Sequence, residues 1–405
     1  MTRKVCGVVA ALVLLVCVSA AQAENDAFRA MEQRAQGSTV RFFMYGGFAN
    51  VNKWIDGWVA SELKKRHGIT LERVPMDAAV FVNRLLAEKS AGREQGTMDL
   101  LWINGENFRN ARKAGLLWGP FAHHLPHINY VAPATMETDF GFAVEGYEAP
   151  WGRAQLVLEY DAARVPEPPR TMAALKEWII RNPGRFTYPQ PPDFTGSAFL
   201  RQVLFATCGG HQRFMKDFDQ ALYDSATPPL WAWLAEVRPH LWQEGRTYPR
   251  DAAAQDSLFA RGEVDFAISY HPVHAQSRIL DGTYPPTVRT VALEDGSIAN
   301  THFVAIPFNA PNKDGAVVVA AFLLSPDAQL AKLDPALWGD FPVLDMALLP
   351  KADAARFAGV DLGKATLPPA DLARFSVPEI PAAWLEALEK GWNDKVLHAG
   401  GGVKK

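Results

Sequence analysis

Cysteine is scarce in this sequence, and its placement limits what it can do. The chain has 405 residues and 3 cysteines, of which Cys6 and Cys17 lie close to the N-terminus. Without that leader only Cys208 remains, and a single cysteine forms no disulfide within the chain. A chain of this size does not need such cross-links, because it can build a large core. We interpret Cys208, followed by two glycines, as an apolar residue ending a helix; the alternative is a nucleophile.

The sequence also lacks a strong charge of either sign. Its formal net charge is −3, and 21% of its residues are charged. Nucleic-acid binding normally requires a basic patch or stripe, so the composition predicts no nucleic-acid partner. Hydrophobic residues make up 48% of the chain, which is ample for a core, and the length favours two or three domains.

Recognisable catalytic motifs are missing as well. The sequence contains no Gly-x-Ser-x-Gly elbow, no His-Glu-x-x-His and no phosphate-binding loop. His123, His124 and His127 cluster in AHHLPH, but adjacent loop histidines usually diverge, and no carboxylate or cysteine completes a set. We therefore predict no metal, no cofactor and no enzymatic activity.

The N-terminus has the pattern of a secretory signal peptide. The positive start MTRK precedes the apolar stretch VCGVVAALVLLVCVSA, and small residues follow at Ala21 and Ala23. This pattern predicts a signal peptide over 1–23, cleavage after Ala23 and a periplasmic protein. The apolar run is short for a membrane span. Lipidation of Cys17 is the alternative, although Val16 before it is larger than the small residue that lipoprotein signals prefer.

Short apolar strands then alternate with amphipathic helices. Strands are predicted in TVRFFMYGG (39–47), ITLERVPM (69–76) and MDLLWIN (98–104), with helices over 50–68 and 78–92. The β-α-β-α-β order indicates a parallel sheet covered by helices. In such sheets ligands bind beyond the carboxyl ends of the strands.

A second α/β region begins near residue 155. Strands are predicted in RAQLVLEYD (153–161), RFTYPQPP (185–192) and ARGEVDFAISYHP (260–272), and a helix over 172–184. The stretch 302–333 then predicts a further strand followed by two helices, the second of them capped by a Ser-Pro step.

Several of these stretches together resemble a known family. They are GRFTYP followed by TGSAFLRQVL, then GEVDFAISY and AIPFNAPNKDGAVVVAAFLLSPDAQ, in addition to the leader. Over about 39–350 the chain resembles periplasmic solute-binding proteins of ABC importers. It is most similar to the type II class with thiamine-, iron- and polyamine-binding members, and within it to YnjB-type binding proteins. Iron-binding members carry paired tyrosines as ligands; this sequence has no Tyr-Tyr, which argues against ferric iron.

The resemblance implies an α/β fold of two lobes, each a mostly parallel sheet flanked by helices, joined by crossover hinge strands. Lobe one would comprise 39–155 and 300–345, and lobe two 156–299. The remaining 346–405 would form C-terminal helices packing on the lobes.

The resemblance also implies a function. A monomer would capture a small polar solute in the cleft between the lobes by hinge closure and deliver it to the membrane subunits of an ABC permease. The alternative is a secreted enzyme on the same two-lobed scaffold, because a fold does not determine a function.

The stretch Thr195-Gly196-Ser197 opens a predicted helix, and the family's fold would direct this helix start toward the cleft. Free amides at a helix N-terminus bind an anionic or carbonyl group. The hydroxyls of Thr195 and Ser197 would add hydrogen bonds, and Gly196 would allow a close approach. In the alternative interpretation Thr195 only caps the helix.

Two strand ends of lobe one have similar chemistry. Tyr45 precedes Gly46 and Gly47, which permit a tight turn and close approach to a solute, or are turn glycines only.

The other strand end is Asn104-Gly105-Glu106. Asn104 and Gly105 suit a turn, and the Glu106 carboxylate is placed to meet a cation; alternatively, it is an acid in a first helical turn. Trp151 lies at the predicted first crossover and either stacks on a solute or packs the hinge. Tyr270 and His271 end a lobe-two strand and either bind the solute or are structural.

These residues give a weak indication of the solute. The aromatic side chains of Tyr45, Trp102, Trp151 and Tyr270, together with Glu106, suit a cationic or heteroaromatic solute, such as a thiamine-like compound or a polyamine. Sugars also stack on aromatic rings, so the solute class stays open from the sequence.

Overall fold

The computed structural model describes residues 26–398. The predicted signal peptide over 1–23 and the lipidation alternative at Cys17 lie outside the described residues. Within the described range, no single helix is long and apolar enough to cross a membrane. One pair of helices, Lys313–Leu324 and Pro326–Leu333, meets the length and composition criteria together but is bent by 58°. Most residues of the first helix are buried in the core.

The larger sheet contains the strands predicted first in the sequence. Its members are β1 (Thr39–Met44), β2 (Thr70–Pro75), β3 (Leu100–Trp102), β4 (Leu117–Trp118), β7 (Glu148–Gln155), β11 (Ser297–Pro307) and β12 (Ser376–Pro378). β1 pairs in parallel with β2 and β3, which confirms the predicted parallel arrangement of this segment. β11 runs antiparallel to β3, β4 and β7, so the whole sheet is mixed.

The smaller sheet contradicts the mostly parallel arrangement predicted for lobe two. It consists of β8 (Val157–Asp161), β9 (Phe266–Ser269) and β10 (Val288–Val291) in the order β10-β8-β9, and both pairings are antiparallel. The helices between β8 and β9 bring the chain back to the end of the sheet where β8 finishes, because Tyr160 pairs with Phe266, and β9 therefore runs against β8. The strand predicted over 185–192 is also wrong, because this segment is not a strand. Its prolines lack the amide that a ladder requires.

Two adjacent strands carry the chain between the sheets. β7 pairs with β11 from Ala299 and Gln155 to Ala305 and Glu148, with a bulge between His302 and Phe303. β7 continues into β8 of the smaller sheet after one residue, and β11 enters the larger sheet from the lobe-two side. These are the crossover strands expected of the fold.

Helices surround both sheets. Those of the first segment are α1 (26–35), α2 (Ala49–Lys53), α3 (Ala60–His67), α4 (Ala78–Ser90) and α5 (Gly105–Lys113). Those between β8 and β10 are α6 (Met172–Arg181), α7 (Phe194–Thr207), α8 (Gln220–Ala226), α9 (Pro228–Val237), α10 (Ala252–Ala260) and α11 (His274–Leu280). Those after β11 are α12 (Lys313–Leu324), α13 (Pro326–Leu333), α14 (Lys351–Ala358), α15 (Pro369–Phe375) and α16 (Ala382–Trp392).

Shorter elements complete the fold. A two-stranded hairpin joins β5 (Thr138–Asp139) to β6 (Phe142–Ala143). π-helical turns cover Trp54–Val59 and Asn393–Leu397. Short 3-10 turns cover Ala122–His124, Ile128–Tyr130, Pro133–Met136, His211–Phe214, Arg238–His240 and Trp242–Gly245.

The hydrophobic core is divided between the two regions. One large cluster joins β1 to the buried helix α12 and includes Phe357 of α14. A second joins β8 and β9 to α7 and includes Trp384 and Trp392 of α16. The C-terminal helices therefore pack on both regions, α14 on the first and α16 on the second. The exact lobe boundaries stay a prediction.

Candidate functional site

The start of α5 brings Asn104, Gly105 and Glu106 to the side of the larger sheet that meets lobe two. Gly105 has φ +61°, a left-handed conformation that glycine adopts without strain. Its amide donates to Asp139 Oδ2 at 2.5 Å. The Asn104 side chain donates to the carbonyl of Thr301, on crossover strand β11, at 2.7 Å. This helix start is therefore anchored to the hinge.

Glu106, in the same turn, has one carboxylate oxygen without a hydrogen-bond partner in the described residues. Oε1 accepts a hydrogen bond from Asn107 at 2.6 Å, whereas the buried Oε2 has no partner within the described chain. Burial raises the pKa of Glu106 to about 7; Glu389 raises it further and Arg201 opposes the shift. The ionised form of this carboxyl would be stabilised most by a ligand that donates a hydrogen bond and carries a positive charge.

The start of α7 differs from the predicted one. The capping residue is Asp193, so the interpretation of Thr195 as the cap is wrong. Asp193 Oδ1 accepts the amides of Thr195 and Gly196, each at 3.0 Å. Its Oδ2 also accepts the amide of Ala252 in α10 at 3.3 Å. Burial raises the pKa of Asp193 to about 6, although these amides lower it.

Gly196 and Ser197 are engaged by protein groups. A Cβ at Gly196 would overlap the carbonyl oxygen of Pro189, so glycine is needed here for packing. Ser197 Oγ donates to Glu389 Oε1 at 2.5 Å, which links α7 to α16. Both residues and Thr195 are buried. Their binding role stays a prediction, and an anion at this helix start would have to displace Asp193.

Farther along α7, Arg201 forms the centre of a buried network. Its Nε donates to Glu379 Oε2 at 2.7 Å and its Nη2 to Glu379 Oε1 at 2.9 Å. Tyr270 Oη donates to the same Oε1 at 2.8 Å, and Asn300 Nδ2 does so at 3.2 Å. Arg201 is 0% exposed. The Tyr270 hydroxyl is thus already bonded within the protein, and its role in solute binding stays a prediction.

Tyr45 and its two glycines form another part of this interface. Tyr45 is half-buried, and burial, with Asp251 and Asp193 of lobe two, raises its pKa to about 12. A Cβ at Gly46 would lie 2.7 Å from the Cβ of Pro75, and one at Gly47 would overlap the Tyr45 ring. Pro75 therefore leaves no room for a side chain at Gly46, whereas a side chain at Gly47 would require the Tyr45 ring to move.

Trp151 packs in the lobe-one core. It is 0% exposed, and its ring contacts those of Trp54, Trp102 and Trp338 at centroid distances of 6.4, 4.9 and 5.2 Å. This geometry supports the interpretation in which Trp151 packs the hinge. Stacking of Trp151 on a solute stays a prediction and requires movement of these rings.

His271 joins a buried charged cluster. Its Nδ1 lies 3.1 Å from Asp340 Oδ1, and His302 Nε2 lies 3.3 Å from the same atom. Lys332 Nζ donates to Asp340 Oδ2 at 2.8 Å. Burial alone would raise the pKa of Asp340, but Lys332 and His302 hold it well below its usual value. Lys332 and Asp340 therefore form a fully buried ion pair.

Two groups of side chains in the described range have the spacing of metal ligands, which the sequence interpretation missed. One is His271, His302 and Asp340; the other is Glu159, Asp256 and His274. In the second, His274 Nδ1 lies 2.9 Å from Glu159 Oε1, and this carboxylate raises the pKa of His274 to about 9 although burial lowers it. The spacing HPVH over 271–274 was a signal for both groups. His123, His124 and His127 belong to neither.

Other functional candidates were also missed. Phe140 lies at the tip of the β5–β6 hairpin, with its ring centroid 5.5 Å from Arg201 Cζ. Phe194 packs on Phe140 and Tyr270, at 6.0 and 5.1 Å, and is 41% exposed. The arginine in the apolar run AFLRQVL was the available signal. Outside this interface, a surface cavity of about 820 Å³ contains Trp58 and Arg356, and none of the predicted binding residues lines it.

Cys208 lies at the end of α7, as predicted. It is buried, and burial raises the pKa of its thiol. A raised pKa keeps the thiol protonated, which makes it a poorer nucleophile.

Solved structures confirm the two-lobed binding-protein fold. The periplasmic binding protein AfuA from Actinobacillus pleuropneumoniae, with fructose-6-phosphate bound, matches with a TM-score of 0.64 and 13% identity over 89% of this chain and 98% of that chain. A putative spermidine/putrescine ABC transporter protein from Listeria monocytogenes matches with a TM-score of 0.62 and 15% identity over 88% and 98%. At these identities the similarity concerns the fold alone.

Sequence comparison is more specific. Protein YnjB of Escherichia coli (strain K12) is 39% identical over 382 residues, which cover 94% of this chain and 96% of that protein. A family model described as bacterial extracellular solute-binding protein matches residues 58–358. The resemblance seen in the sequence is thus confirmed, and the chain belongs to the family of bacterial extracellular solute-binding proteins.

Proposed function

We propose that this protein is the extracytoplasmic solute-binding component of an ABC import system. It captures a small polar solute between its lobes, closes about the two crossover strands, and delivers the solute to permease subunits in the membrane. It works in the periplasm as a monomer after cleavage behind Ala23, and it catalyses no reaction. Family membership and the pairing of β7 with β11 support this proposal.

The solute carries a positively charged group that binds Glu106. The observation behind this is the buried Glu106 Oε2, which no group within 26–398 satisfies. Acids outnumber bases around it: Glu389 and Asp139 are close, and burial raises the pKa of both. An incoming cation would stabilise the ionised form of Glu106 and provide the missing donor.

The fold alone does not determine the sign of the solute's charge. The named relatives of similar fold include one with a sugar phosphate bound and one named for spermidine and putrescine. Specificity therefore depends on the side chains at the interface, and here the unpaired group is a carboxylate.

The test begins with identification of the solute. Protein purified from periplasm without unfolding is examined by native mass spectrometry, and the retained compound is used in calorimetry with the Glu106→Gln variant. Charge-assisted hydrogen bonds contribute about 1.5–3 kcal/mol, so affinity should fall roughly tenfold to hundredfold.

The matched control is Glu177→Gln, which removes a carboxylate that is 70% exposed on α6. It should leave affinity unchanged. If Glu106→Gln binds like the parent, or the retained compound has no cationic group, the role assigned to Glu106 is wrong. Consumption of the retained compound by the purified protein would contradict the non-catalytic assignment.

A further inference from the structure

Two buried polar atoms of opposite character lack partners at the interface between the lobes. One is Glu106 Oε2, an acceptor on lobe one; the other is Arg201 Nη1, a donor on lobe two. Neither atom has a hydrogen-bond partner in the part of the chain that the structure describes. Arg201 also acts electrostatically on Glu106, and the helices that carry the two side chains, α7 and α5, both pack on α16.

The rest of the Arg201 guanidinium is fixed. Nε and Nη2 donate to Glu379 at 2.7 and 2.9 Å, and Nη2 also lies 3.3 Å from Tyr270 Oη. The arginine therefore cannot turn Nη1 toward another acceptor without breaking this fork. An unsatisfied buried donor is unfavourable. Several other buried polar atoms within residues 26–398 also lack partners, so what distinguishes Nη1 is the position of its guanidinium beside Phe140.

The ring of Phe140 lies close both to Arg201 and to Gly105, the residue before Glu106. Its centroid lies 5.5 Å from Arg201 Cζ, and its ring atoms lie 3.4 Å from the position that a Cβ would take on Gly105, next to Glu106. Phe140 has φ +44° and Gly141 φ +71°, in a two-residue turn between β5 and β6. Asn, Asp or Gly is usual at the first of these positions, and a bulky residue there is strained. Such strain is often retained at functional sites.

We infer that the solute combines two groups, a cation that meets Glu106 and a hydrogen-bond acceptor that meets Arg201 Nη1, and that it takes the place of the Phe140 ring. This inference rests on the proposed function and narrows its solute class. A carboxylate, carbonyl or ring nitrogen would serve as the acceptor. A linear polyamine has donors only and would leave Arg201 Nη1 unsatisfied.

The retained compound provides the first test: it should contain both a cationic group and an acceptor. If the protein retains nothing, thermal stabilisation is compared for three probes of equal chain length, 5-aminopentanoate, 1,5-diaminopentane and glutarate. The amino acid should stabilise the protein most. A retained polyamine, or stabilisation by the diamine alone, would overturn the inference while leaving Glu106 as the cation site. Stabilisation by glutarate alone, or by none of the probes, would overturn both.

Two variants test the residues, with the retained compound or 5-aminopentanoate as titrant. Arg201→Met combined with Glu379→Met removes both members of the buried pair, so no unpaired charge remains and folding should persist. Its affinity should fall at least about tenfold. Phe140→Gly removes the ring, and glycine suits the backbone conformation of the turn. This variant should bind more tightly than the parent, by about threefold or more, because the solute no longer has to displace the ring.

The control for the hairpin is Phe142→Ala, whose ring packs on Phe108 in the lobe-one core, with centroids 6.0 Å apart. It should not tighten binding. If Glu106→Gln weakens binding and the double variant does not, the Arg201 contact is refuted and the proposed function stands. If neither Glu106→Gln nor the double variant weakens binding, the roles assigned to Glu106 and to Arg201 are both wrong.

Discussion

Helices α5 and α7 begin at the same interface between the lobes, yet their first turns are built differently. At α7 the preceding residue, Asp193, accepts two of the first amides of the helix and a third from α10. At α5 the amide of Gly105 donates to Asp139 in a separate hairpin. The helix's own acid, Glu106, leaves Oε2 without a partner anywhere between residues 26 and 398.

The difference indicates which helix start is structural and which is available to a solute. Asp193 satisfies the amides that an anion would otherwise bind, so the start of α7 is complete without a ligand. At α5 the unsatisfied group is an acceptor rather than a donor. Two helix starts with similar sequence patterns therefore differ: the amides at α7 are capped by Asp193, whereas the Glu106 carboxylate at α5 has an oxygen without a partner in the described residues.

The largest expected effect comes from Gly196→Ala, which tests whether the start of α7 is fixed by packing. The new Cβ would overlap the backbone carbonyl of Pro189, which cannot rotate away as a side chain can. We expect a loss of about 3 kcal/mol in the free energy of unfolding, measured by chemical denaturation. Gly57→Ala is the control, because a Cβ there meets nothing within 4 Å; it should be neutral or slightly stabilising. Equal stability of the two variants would show that α7 can shift.

Removal of the cap should have the next largest effect. Asp193→Ala frees the amides of Thr195, Gly196 and Ala252 and should reduce the free energy of unfolding by about 2 kcal/mol. Asp193→Asn keeps an acceptor and should lose less. Because the freed helix start becomes an anion site, sulfate should stabilise the Ala variant more than the parent. If sulfate stabilises both equally, the difference drawn between α5 and α7 does not hold.

The sequence predicted the fold better than the site. Apolar strands alternating with helices correctly located β1, β2 and β3, because their order and burial follow from local periodicity. The same reasoning failed for 185–192, where a buried apolar pattern occurs without a strand, because three prolines prevent a ladder. It also failed for the direction of β9, which depends on the path of the intervening helices rather than on the strand itself.

The binding roles of the candidate residues stay predictions. Strand ends and helix starts drew attention to Glu106 and Tyr270, and the structure shows what each of them contacts. Partners distant in sequence decide what these residues can do: Glu379 satisfies Tyr270, and no described residue satisfies Glu106 Oε2. Arg201 was overlooked: the arginine within an apolar helix was a signal, but its partner Glu379 lies 178 residues away and cannot be identified from the local sequence.

The smallest expected effect concerns pH and compares the parent with Glu106→Gln. The pKa of Glu106 in the folded protein is about 7, above the ordinary value of 4.5. Between these values the folded chain binds more protons than the unfolded chain, so this group's contribution to stability falls as pH rises. Glutamine does not titrate. The variant should therefore gain stability relative to the parent from pH 5 to pH 8, by about 1 kcal/mol or less because the half-buried group is screened by water. Titrating groups that do not interact with Glu106, including Asp193, are present in both proteins and cancel in this difference.

Affinity for a solute of constant positive charge should change in the opposite direction in the parent, rising by up to about tenfold per pH unit below pH 7 as Glu106 ionises. The variant's affinity should stay flat. Denaturation and calorimetry at the same pH values measure both trends, and a parent whose affinity does not depend on pH would place the solute's cation away from α5.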